Sequence, residues 1–268
     1  MNDMNDMNDT NRTGDPRPLG QTKGALKNDP RLRPYFQNEE QRRAMTQTLF
    51  NEAAGGYDSA ESLTGLGSGA WYRREVLKRN GLSAGMTLLD VAAGTGLVTV
   101  PGLDIVGTTG RVIAVDPSPG MLAELRKKVD VEVVEAFAEN MPLPDATADF
   151  LSMGYALRHV GELDQAFSEY LRVLKPGGKV CLMEISRPRG RMLRGMLWFH
   201  ISVLVPLLAR LTGRHADIQK LWAYYGDTIE AALDPETIQD ALRRAGFAEV
   251  ECSVSLGIFR EYTGVRPA

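Results

Sequence analysis

The fold is set by Leu88-Leu89-Asp90-Val91-Ala92-Ala93-Gly94-Thr95-Gly96, a short apolar run that ends in a glycine-rich turn. An apolar run of this kind suits a strand covered on both faces, and the glycines allow positive φ and a close approach of the backbone to a ligand. A second apolar run over 111–115 ends in Asp116, whose carboxylate can accept both ribose hydroxyls of a nucleoside. The two runs together predict a nucleoside-binding turn between a strand and a helix.

The glycine spacing in this turn distinguishes between two kinds of nucleoside cofactor, a dinucleotide and S-adenosylmethionine. A dinucleotide-binding fingerprint has the pattern G-x-G-x-x-G, whereas Thr99 stands at the place of the third glycine here. The turn instead resembles motif I of the class I S-adenosylmethionine methyltransferases, in which Asp90 opens the motif and Asp116 is the ribose acid. Ala92 stands where that motif has its first glycine. On the turn alone, an ordinary strand-to-helix connection and a nicotinamide dehydrogenase stay open as alternatives.

The composition is that of a globular chain. Its 268 residues are 43% hydrophobic and 24% charged, which suffices to bury a full core in one large domain or two small ones. The formal net charge of −3 provides no basic field. We therefore expect no nucleic-acid partner.

Cysteine usage and the N-terminal sequence predict a cytoplasmic location. Cys181 and Cys252 fall in predicted strands and not at metal-binding spacing, so we interpret both as buried thiols in a reducing compartment and expect no metal. The sequence shows no signal-peptide pattern. The longest apolar run, 196–211, is interrupted by polar residues and a proline and is shorter than the ~20 residues that span a bilayer. We expect a soluble protein that is at most associated with a membrane surface.

Periodicity divides the chain into a tail, a cap and a nucleotide-binding domain. Residues 1–35 begin with Met-Asn-Asp three times and carry prolines and polar residues, which predicts a disordered tail. Residues 36–80 predict a helical cap, with one helix over 39–53 that breaks at Gly55-Gly56-Tyr57-Asp58 and a second helix over 70–79. Residues 81–268 predict the main domain, with a helical insertion on the substrate side at about 190–233.

Strands and helices alternate through the main domain, which implies parallel pairing with right-handed crossovers. Strands are predicted over 86–91, 111–115, 130–134, 148–154 and 178–185. The helices between them follow Gly96 and cover 118–128 and 163–173. Beyond residue 186 the pattern predicts helices over 192–211, 219–232 and 235–245, and then a closing strand pair at 247–250 and 255–262.

Several further motifs recur in the order that a class I methyltransferase needs. Within that class, residues 49–265 most resemble the UbiE/MenG family, the C-methyltransferases of ubiquinone and menaquinone biosynthesis. Leu157-Arg158-His159-Val160 resembles the family's Leu-Arg-Asn-Val, and Glu184-Ile185-Ser186-Arg187-Pro188 resembles its Glu-Phe-Ser-Lys-Pro. The other segments that carry the resemblance are 50–58, 89–96, Asp116 with Met121-Leu122, Ala138-Glu139 with Pro142, 170–178 and 225–229.

The resemblance implies a Rossmann-like α/β fold, with a seven-stranded, mostly parallel sheet, a C-terminal antiparallel hairpin and helices on both faces. It also implies that S-adenosyl-L-methionine is the cofactor. By position, the family's cofactor contacts fall on Thr95, Asp116, Phe137, Ala138 and Gly154. The motif I positions and the helix after Asp116 add Asp90, Ala92, Gly94, Gly96 and Met121.

Some of these positions depart from the family's pattern. Phe137 stands where the family has a polar residue that can contact adenine, with Asn140 as a nearby polar substitute, and Gly154 stands where it has serine. His159 replaces asparagine, and Tyr155-Ala156 replaces Phe-Gly. The departures concern the wall that faces the substrate, so they bear on the identity of the acceptor more than on methyl transfer.

Three residues near the end of the fourth strand are candidates for catalysis. A ring carbon becomes nucleophilic when its phenol loses a proton, and a free phenol has a pKa near ~10, so a base or hydrogen-bond acceptor helps at neutral pH. His159 is the best-placed base, although it is as easily a residue that caps or packs this loop. Arg158 is a candidate for holding an anionic oxygen, with a solvated or paired arginine as the alternative. Tyr155, at the end of the same strand, is the third candidate catalytic residue.

The apolar segment 196–211 is hydrophobic on nearly all sides, more than one helix face requires. A buried helix, a dimer contact, a channel for an isoprenoid tail and a membrane-surface contact all fit this pattern. Four arginines precede it, either as a solvated face or as ligands of a diphosphate or of lipid phosphates: Arg187, Arg189, Arg191 and Arg194.

The sequence therefore predicts an S-adenosylmethionine-dependent methyltransferase that C-methylates a prenylated quinol or a similar hydrophobic small molecule. One alternative acceptor is a prenyl diphosphate or another specialised metabolite. An alternative from another class is a catalytically silent nucleoside-binding module. Peripheral membrane contact and a homodimer stay open as further associations.

Overall fold

The computed structural model describes residues 29–65, 69–186 and 216–268, together with six single positions between 190 and 203. Seven strands form one sheet in the order β3-β2-β1-β4-β5-β7-β6. All pairs are parallel except those of β7, which runs antiparallel to β5 and to β6. The strands are β1 (Thr87–Val91), β2 (Arg111–Val115), β3 (Glu132–Val134), β4 (Ala148–Gly154), β5 (Leu174–Ile185), β6 (Ala248–Ser255) and β7 (Phe259–Val265).

Helices cover both faces of this sheet because successive strand residues point to opposite sides. Leu88 packs on one face with Val76 and other buried residues, whereas Leu89 packs on the other face with Phe167 and Leu242. The described helices are α1 (Glu39–Gly65), α2 (Gly69–Arg79), α3 (Thr99–Val106), α4 (Pro119–Arg126), α5 (Leu163–Val173), α6 (Ala216–Glu230) and α7 (Pro235–Ala245). The predicted fold class is confirmed, including the antiparallel C-terminal hairpin.

The cap helix α1 differs from its prediction. A break at residues 55–58 is wrong, since the helix continues to Gly65. Glycine in a helix costs about 1 kcal/mol relative to alanine, but tertiary contacts on both sides of the glycine pair hold the helix. Asn51 accepts hydrogen bonds from the start of α4, and Asp58 forms an ion pair with Lys128.

The predicted disordered tail is also too long. Residues 29–35 contain a short 3₁₀ helix, Pro30–Leu32, whose N-cap Asp29 accepts from the backbone N–H of Arg31. Leu32 is buried, and the Tyr35 hydroxyl donates to Asp227 on α6 at 2.7 Å. Docking of this segment on α6 buries enough apolar surface to order it, which sequence periodicity over seven residues does not reveal. Residues 1–28 lie outside the described residues.

The remaining differences are smaller. β5 begins at Leu174, so the Lys175-Pro176-Gly177-Gly178 segment belongs to the strand as an irregular start and not to a separate turn. Cys181 is a buried thiol as predicted, but Cys252 on the edge strand β6 is only half-buried. The predicted helix over 192–211 lies outside the described residues, apart from single positions.

Candidate active site

The candidate site lies at the carboxyl ends of β1, β2 and β4. The strand order reverses between β1 and β4, and such a switch point opens a crevice at the sheet edge. The cleft there encloses about 1050 Å³, including the solvent at its mouth. Its lining combines the 92–95 turn, the ends of β2 and β4, and side chains of the cap.

The glycine-rich turn presents its backbone to the cleft. Gly94 has φ 56° and Gly96 has φ 90°, and Ala92 has φ 55°, a left-handed conformation that a residue with a Cβ rarely adopts. This backbone requirement explains why a glycine suits position 92 better than the alanine present here. A Cβ at Gly94 meets no atom within 4 Å, so the turn leaves open space on its cleft side.

Asp116 follows β2 and lines the same part of the cleft. Its Oδ2 accepts from the Gly94 N–H and its Oδ1 from the Ser118 N–H, both at 2.8 Å. Burial raises the pKa of this carboxyl to about 6, although the two backbone hydrogen bonds oppose that shift. Each oxygen keeps a lone pair for another donor. The carboxylate is therefore anchored and can still accept hydrogen bonds from a diol.

Asp90 and Gly96 were predicted as cofactor contacts, but the structure places both behind the wall of the cleft. The Asp90 carboxylate is fully buried, where it accepts from the hydroxyls of Thr99 at 2.6 Å and Ser152 at 2.8 Å. Burial raises the pKa of Asp90 to about 6. A Cβ at Gly96 would lie 3.2 Å from Leu125, so packing requires glycine there. Neither residue is part of the lining of the cleft, and both support the turn from behind.

The cap is attached to the turn and to the start of α4 by polar contacts that sequence reasoning missed. Gln47 donates to the Pro117 carbonyl at 2.6 Å, and Asn51 Oδ1 accepts from the Ser118 hydroxyl at 2.6 Å and the Gly120 N–H at 2.9 Å. No spacing pattern in the sequence signals these contacts, because they join segments about seventy residues apart.

A second attachment involves Thr95. Its hydroxyl donates to Asp58 of α1, and its carbonyl accepts from Lys128 Nζ at 2.6 Å. Lys128 also forms an ion pair with Asp58. Helix α1 therefore covers the glycine-rich turn.

Phe137, Ala138, Gly154 and Met121 line the cleft beside the turn, as predicted for cofactor contacts. The Arg43 guanidinium carbon lies 4.9 Å from the centroid of the Phe137 ring. Asn140 does not line the cleft. The polar residue that the family places at position 137 is thus replaced by an aromatic ring that stacks on a cation.

Aromatic side chains line the other end of the cleft. The His159 ring packs edge-on to Phe50 at a centroid distance of 5.4 Å, and it stacks on Tyr224 at 5.4 Å and Tyr225 at 6.0 Å. The Tyr57 and Tyr225 hydroxyls lie 2.9 Å apart. Elements distant in sequence supply this wall, which we call the aromatic wall: Phe50, Tyr57, Tyr155, His159 and Tyr225.

His159 belongs to the aromatic wall and keeps one ring nitrogen without a hydrogen-bond partner among the described residues. Its Nδ1 lies 3.2 Å from the Tyr224 hydroxyl, and its Nε2 is buried without a hydrogen-bond partner within the described ranges. Burial, and then the positive charges of Arg158 and Arg42, lower the pKa of His159 well below its ordinary value. The imidazole is therefore neutral at pH 7, and Nε2 can exchange a proton or a hydrogen bond with a ligand in the cleft.

Arg158, predicted to hold a substrate oxygen, does not line the cleft. It is buried in an ion pair with Glu184 at 2.5 Å, and its guanidinium also donates to the Tyr155 carbonyl at 2.6 Å. The guanidinium carbon lies 4.8 Å from the centroid of the Tyr225 ring. The structure thus shows the paired arginine, which positions two residues of the aromatic wall.

Tyr155 does line the cleft, and it follows β4 with φ 60°. Burial raises the pKa of its hydroxyl, while Arg73 opposes that shift. The phenol therefore stays protonated at neutral pH and is available as a hydrogen-bond donor or an apolar surface.

The fold and the site together define a class I S-adenosylmethionine-dependent methyltransferase. A family model described as the ubiE/COQ5 methyltransferase family matches residues 36–266, and the chain belongs to this family. The dehydrogenase alternative is therefore wrong. The open turn at Gly94 and the anchored carboxylate of Asp116 fit the adenosyl cofactor of this class.

Relatives of known name agree with this assignment. The chain is 32% identical over 218 residues to the ubiquinone/menaquinone biosynthesis C-methyltransferase UbiE of Shewanella piezotolerans (strain WP3 / JCM 13877), which covers 79% of this chain and 86% of the relative. It is 32% identical over 225 residues to the demethylmenaquinone methyltransferase of Clavibacter sepedonicus, covering 82% and 89%.

Solved structures agree at the level of the fold. A SAM-dependent methyltransferase from Aquifex aeolicus superposes with a TM-score of 0.53 and 22% identity, over 72% of this chain and 88% of that chain.

Proposed function

We propose that the protein C-methylates a prenylated quinol or a similar hydrophobic hydroxyarene. The observation that carries this proposal is the aromatic wall in the same cleft as the glycine-rich turn, with a neutral His159 whose Nε2 has no hydrogen-bond partner among the described residues. Flat aromatic side chains suit an aromatic acceptor, and a neutral imidazole suits a weakly acidic hydroxyl. The names of the quinone-biosynthesis relatives point to the same acceptor class.

On this proposal, the cofactor end of the cleft holds the adenosyl group. Asp116 accepts the ribose hydroxyls, and the backbone of the 92–95 turn lies against the cofactor. Phe137 and Ala138 flank the base, with the Phe137 ring in place of a polar contact. When bound, S-adenosylmethionine supplies an electrophilic methyl group on a sulfonium.

The acceptor end then orients and activates the nucleophile. His159 Nε2 accepts a hydrogen bond or the proton from a ring hydroxyl, so that electron density rises at the ring carbon. That carbon forms the new bond to the methyl carbon, the electron pair of the broken carbon–sulfur bond stays on sulfur, and the ring hydrogen leaves as a proton. The aromatic wall also aligns the two reactants, and orientation of this kind can supply about 7–11 kcal/mol of the barrier.

The test is a comparison of three acceptors with methyl-labelled cofactor and mass identification of the product. We expect C-methylation of a prenylated quinol, and affinity that rises with tail length by up to ~0.8 kcal/mol per buried methylene. Methylation of a prenyl diphosphate, abolished by replacement of Arg187 and Arg189, would instead support the alternative acceptor. Equal affinity for tailed and tailless quinols would contradict a channel for the tail.

We further propose that the segment around 192–203 contacts a membrane surface from the cytoplasmic side, where a prenylated acceptor resides. Four large apolar residues there are exposed, at spacings of four, three and four that place them on one helix face: Met192, Met196, Phe199 and Val203. The nearby arginines in the sequence complement anionic headgroups. Among the described helices, none has the length and hydropathy to cross a bilayer.

Flotation with neutral and anionic phospholipid vesicles tests this contact. We expect Phe199→Glu to abolish vesicle binding, whereas Trp71→Glu, at another exposed apolar residue, serves as the control. A monomer–dimer shift of Phe199→Glu in sedimentation, without any vesicle binding by the wild type, would assign the surface to a homodimer instead.

A further inference from the structure

A buried arginine of the cap, Arg73, lines the cleft and has no role in the site as described so far. Its residue exposure is 5%, and it belongs to α2. Nη1 donates to Glu61 at 2.7 Å, whereas the buried Nε has no hydrogen-bond partner in the described part of the chain. A buried donor without a partner is unfavourable, and more so when it carries charge. Such a donor in a ligand cleft indicates a ligand oxygen.

The position of Arg73 on α2 follows from helix periodicity. Val76 and Leu77, three and four residues later, are buried in the core, so the face that carries Arg73 points inward. Arg74, one residue on, points outward and pairs with Asp104 at 3.2 Å with 38% of its side chain exposed. The two neighbouring arginines therefore have opposite environments, which makes Arg74 a matched control.

Arg73 approaches the aromatic wall from the cap side. Its guanidinium carbon lies 5.0 Å from the centroid of the Tyr155 ring, at the end of β4. Stacking on this ring and the ion pair with Glu61 fix the guanidinium at two points. A positive charge that is fixed and desolvated in this way stabilises a negative charge without reorganisation.

We propose that Arg73 binds a ring oxygen of the acceptor and stabilises the phenolate that makes the ring carbon nucleophilic. This inference rests on the proposed function, and it adds a second polar contact to that of His159. Two nitrogens without a hydrogen-bond partner among the described residues, Arg73 Nε and His159 Nε2, belong to different elements that line one cleft. An acceptor with two ring oxygens, as in a quinol, can form a hydrogen bond to Arg73 Nε with one oxygen and to His159 Nε2 with the other.

The test uses 1,4-dihydroxynaphthalene under anaerobic conditions, with naphthalene as a competitive inhibitor that lacks both oxygens. We expect Arg73→Met to raise the KM for the diol by about 10- to 100-fold, the loss typical of a hydrogen bond to a charged group. The KM for the cofactor and the Ki of naphthalene should change by less than about threefold. Arg74→Met should leave all three constants at their wild-type values.

The variant Glu61→Gln distinguishes the proposed role from a purely structural one, in which Arg73 only links α1 to α2 through its ion pair with Glu61. On our proposal this variant raises the KM for the diol less than Arg73→Met does, because Arg73 stays stacked on Tyr155 in the cleft and keeps its charge and its Nε–H. Equal increases of KM in Glu61→Gln and Arg73→Met, or an equal loss of naphthalene affinity, would overturn the proposal. If Arg73→Met fails to fold, Arg73→Lys keeps the charge without the Nε–H, and an unchanged KM would also overturn it.

Failure of the Arg73 site and failure of the proposed reaction give different results. If the wild type binds the diol in calorimetry but transfers no methyl group, the reaction is contradicted, and a weaker dissociation constant in Arg73→Met still supports the oxygen site. If the wild type methylates the diol and Arg73→Met shows the same KM, only the Arg73 site is contradicted.

Discussion

At its cofactor end the cleft is lined by the backbone of the 92–95 turn and by the carboxylate of Asp116, whereas at its acceptor end it is lined by aromatic and basic side chains. The backbone at the first end is fixed by the hydrogen bonds of β1 and β2 and by the buried Asp90. The side chains at the second end come from α1, α2, α6 and the turn after β4. Each of them can change without any change in the sheet, so the acceptor end can diverge while cofactor binding is kept.

The largest expected difference between the two ends comes from His159→Ala. We expect turnover to fall about 10²- to 10⁴-fold with an almost unchanged affinity for the cofactor, because the lost group acts on the acceptor. Single-turnover kinetics and calorimetry measure the two quantities. A comparable loss of cofactor affinity would show that the two ends are not separable, and full activity would remove His159 from the chemistry.

The same residue sets a pH dependence. Burial and two arginines lower the pKa of His159, so it stays neutral through pH 6.5 and is protonated only at lower pH. An acid limb of kcat/KM that arises from His159 in the free enzyme therefore lies below pH 6.5 and is absent in His159→Ala. A limb centred above pH 6.5 would contradict a buried, neutral imidazole.

Asp116→Ala should give the opposite pattern at the cofactor end. Loss of a charge-assisted hydrogen bond costs about 1.5–3 kcal/mol, which is about a 10- to 100-fold loss of cofactor affinity for each bond to ribose. Asp116→Asn retains one acceptor oxygen and should bind with intermediate affinity in calorimetry. An unchanged dissociation constant in Asp116→Ala would contradict the ribose contact.

Asp90 lies outside the lining of the cleft, and we expect its substitution to change stability in a way that depends on pH. Burial raises the pKa of Asp90 to about 6, so its contribution to the free energy of unfolding is full below about pH 4 and is lost as pH rises through about 6. Relative to the wild type, Asp90→Asn should therefore gain up to about 3 kcal/mol between pH 4 and pH 7 in denaturant titrations.

Asp149 provides a control of opposite sign. Burial opposes its ionisation, but Lys175 and the Thr87 N–H outweigh burial and lower the pKa of its carboxyl. Asp149→Asn should therefore lose stability relative to the wild type as pH rises through about 4. Parallel pH profiles for the two variants would contradict the burial of Asp90.

The smallest effect is expected from deletion of residues 1–28, which should change neither the melting temperature nor cofactor affinity. Their sequence has no periodic apolar face that could pack on the core. Leu32→Ala, just beyond the deletion, removes a buried side chain and should cost about 2–5 kcal/mol. A large drop in melting temperature on deletion would show that residues 1–28 pack on the folded domain.

The sequence predicts the cofactor end far better than the acceptor end. Strands such as Thr87–Val91 and the turn that follows leave local signals, since apolar runs and glycines report backbone geometry directly. Asp90 shows the limit of such signals, because a motif position does not reveal whether a carboxylate points into the cleft or into the core. The sequence predicted the enzyme class and the acid after β2, but not which motif residues touch a ligand.

The acceptor end depends on contacts between distant segments, which one sequence does not encode locally. Arg73 lies in an ordinary amphipathic helix, and nothing in its neighbours indicates a buried guanidinium. Arg158 follows a family motif, yet its ion pair with Glu184 spans 26 positions and withdraws it from the cleft. Gly55 and Gly56 predicted a helix break because glycine has a low helix propensity. That prediction failed because the tertiary contacts that hold the helix there also join distant segments.

Helix α1 contributes to both ends of the cleft, since Asn51 and Asp58 attach it beside the glycine-rich turn while Phe50 and Tyr57 belong to the aromatic wall. The part of α1 from Phe50 to Asp58 therefore contacts both ends of the cleft. A cofactor that stabilises the position of this helix also preorganises the part of the cleft that binds the acceptor. Thermodynamic reciprocity then requires the acceptor to raise the affinity for the cofactor by the same factor. We therefore expect calorimetry to show that each ligand binds more tightly when the other is present.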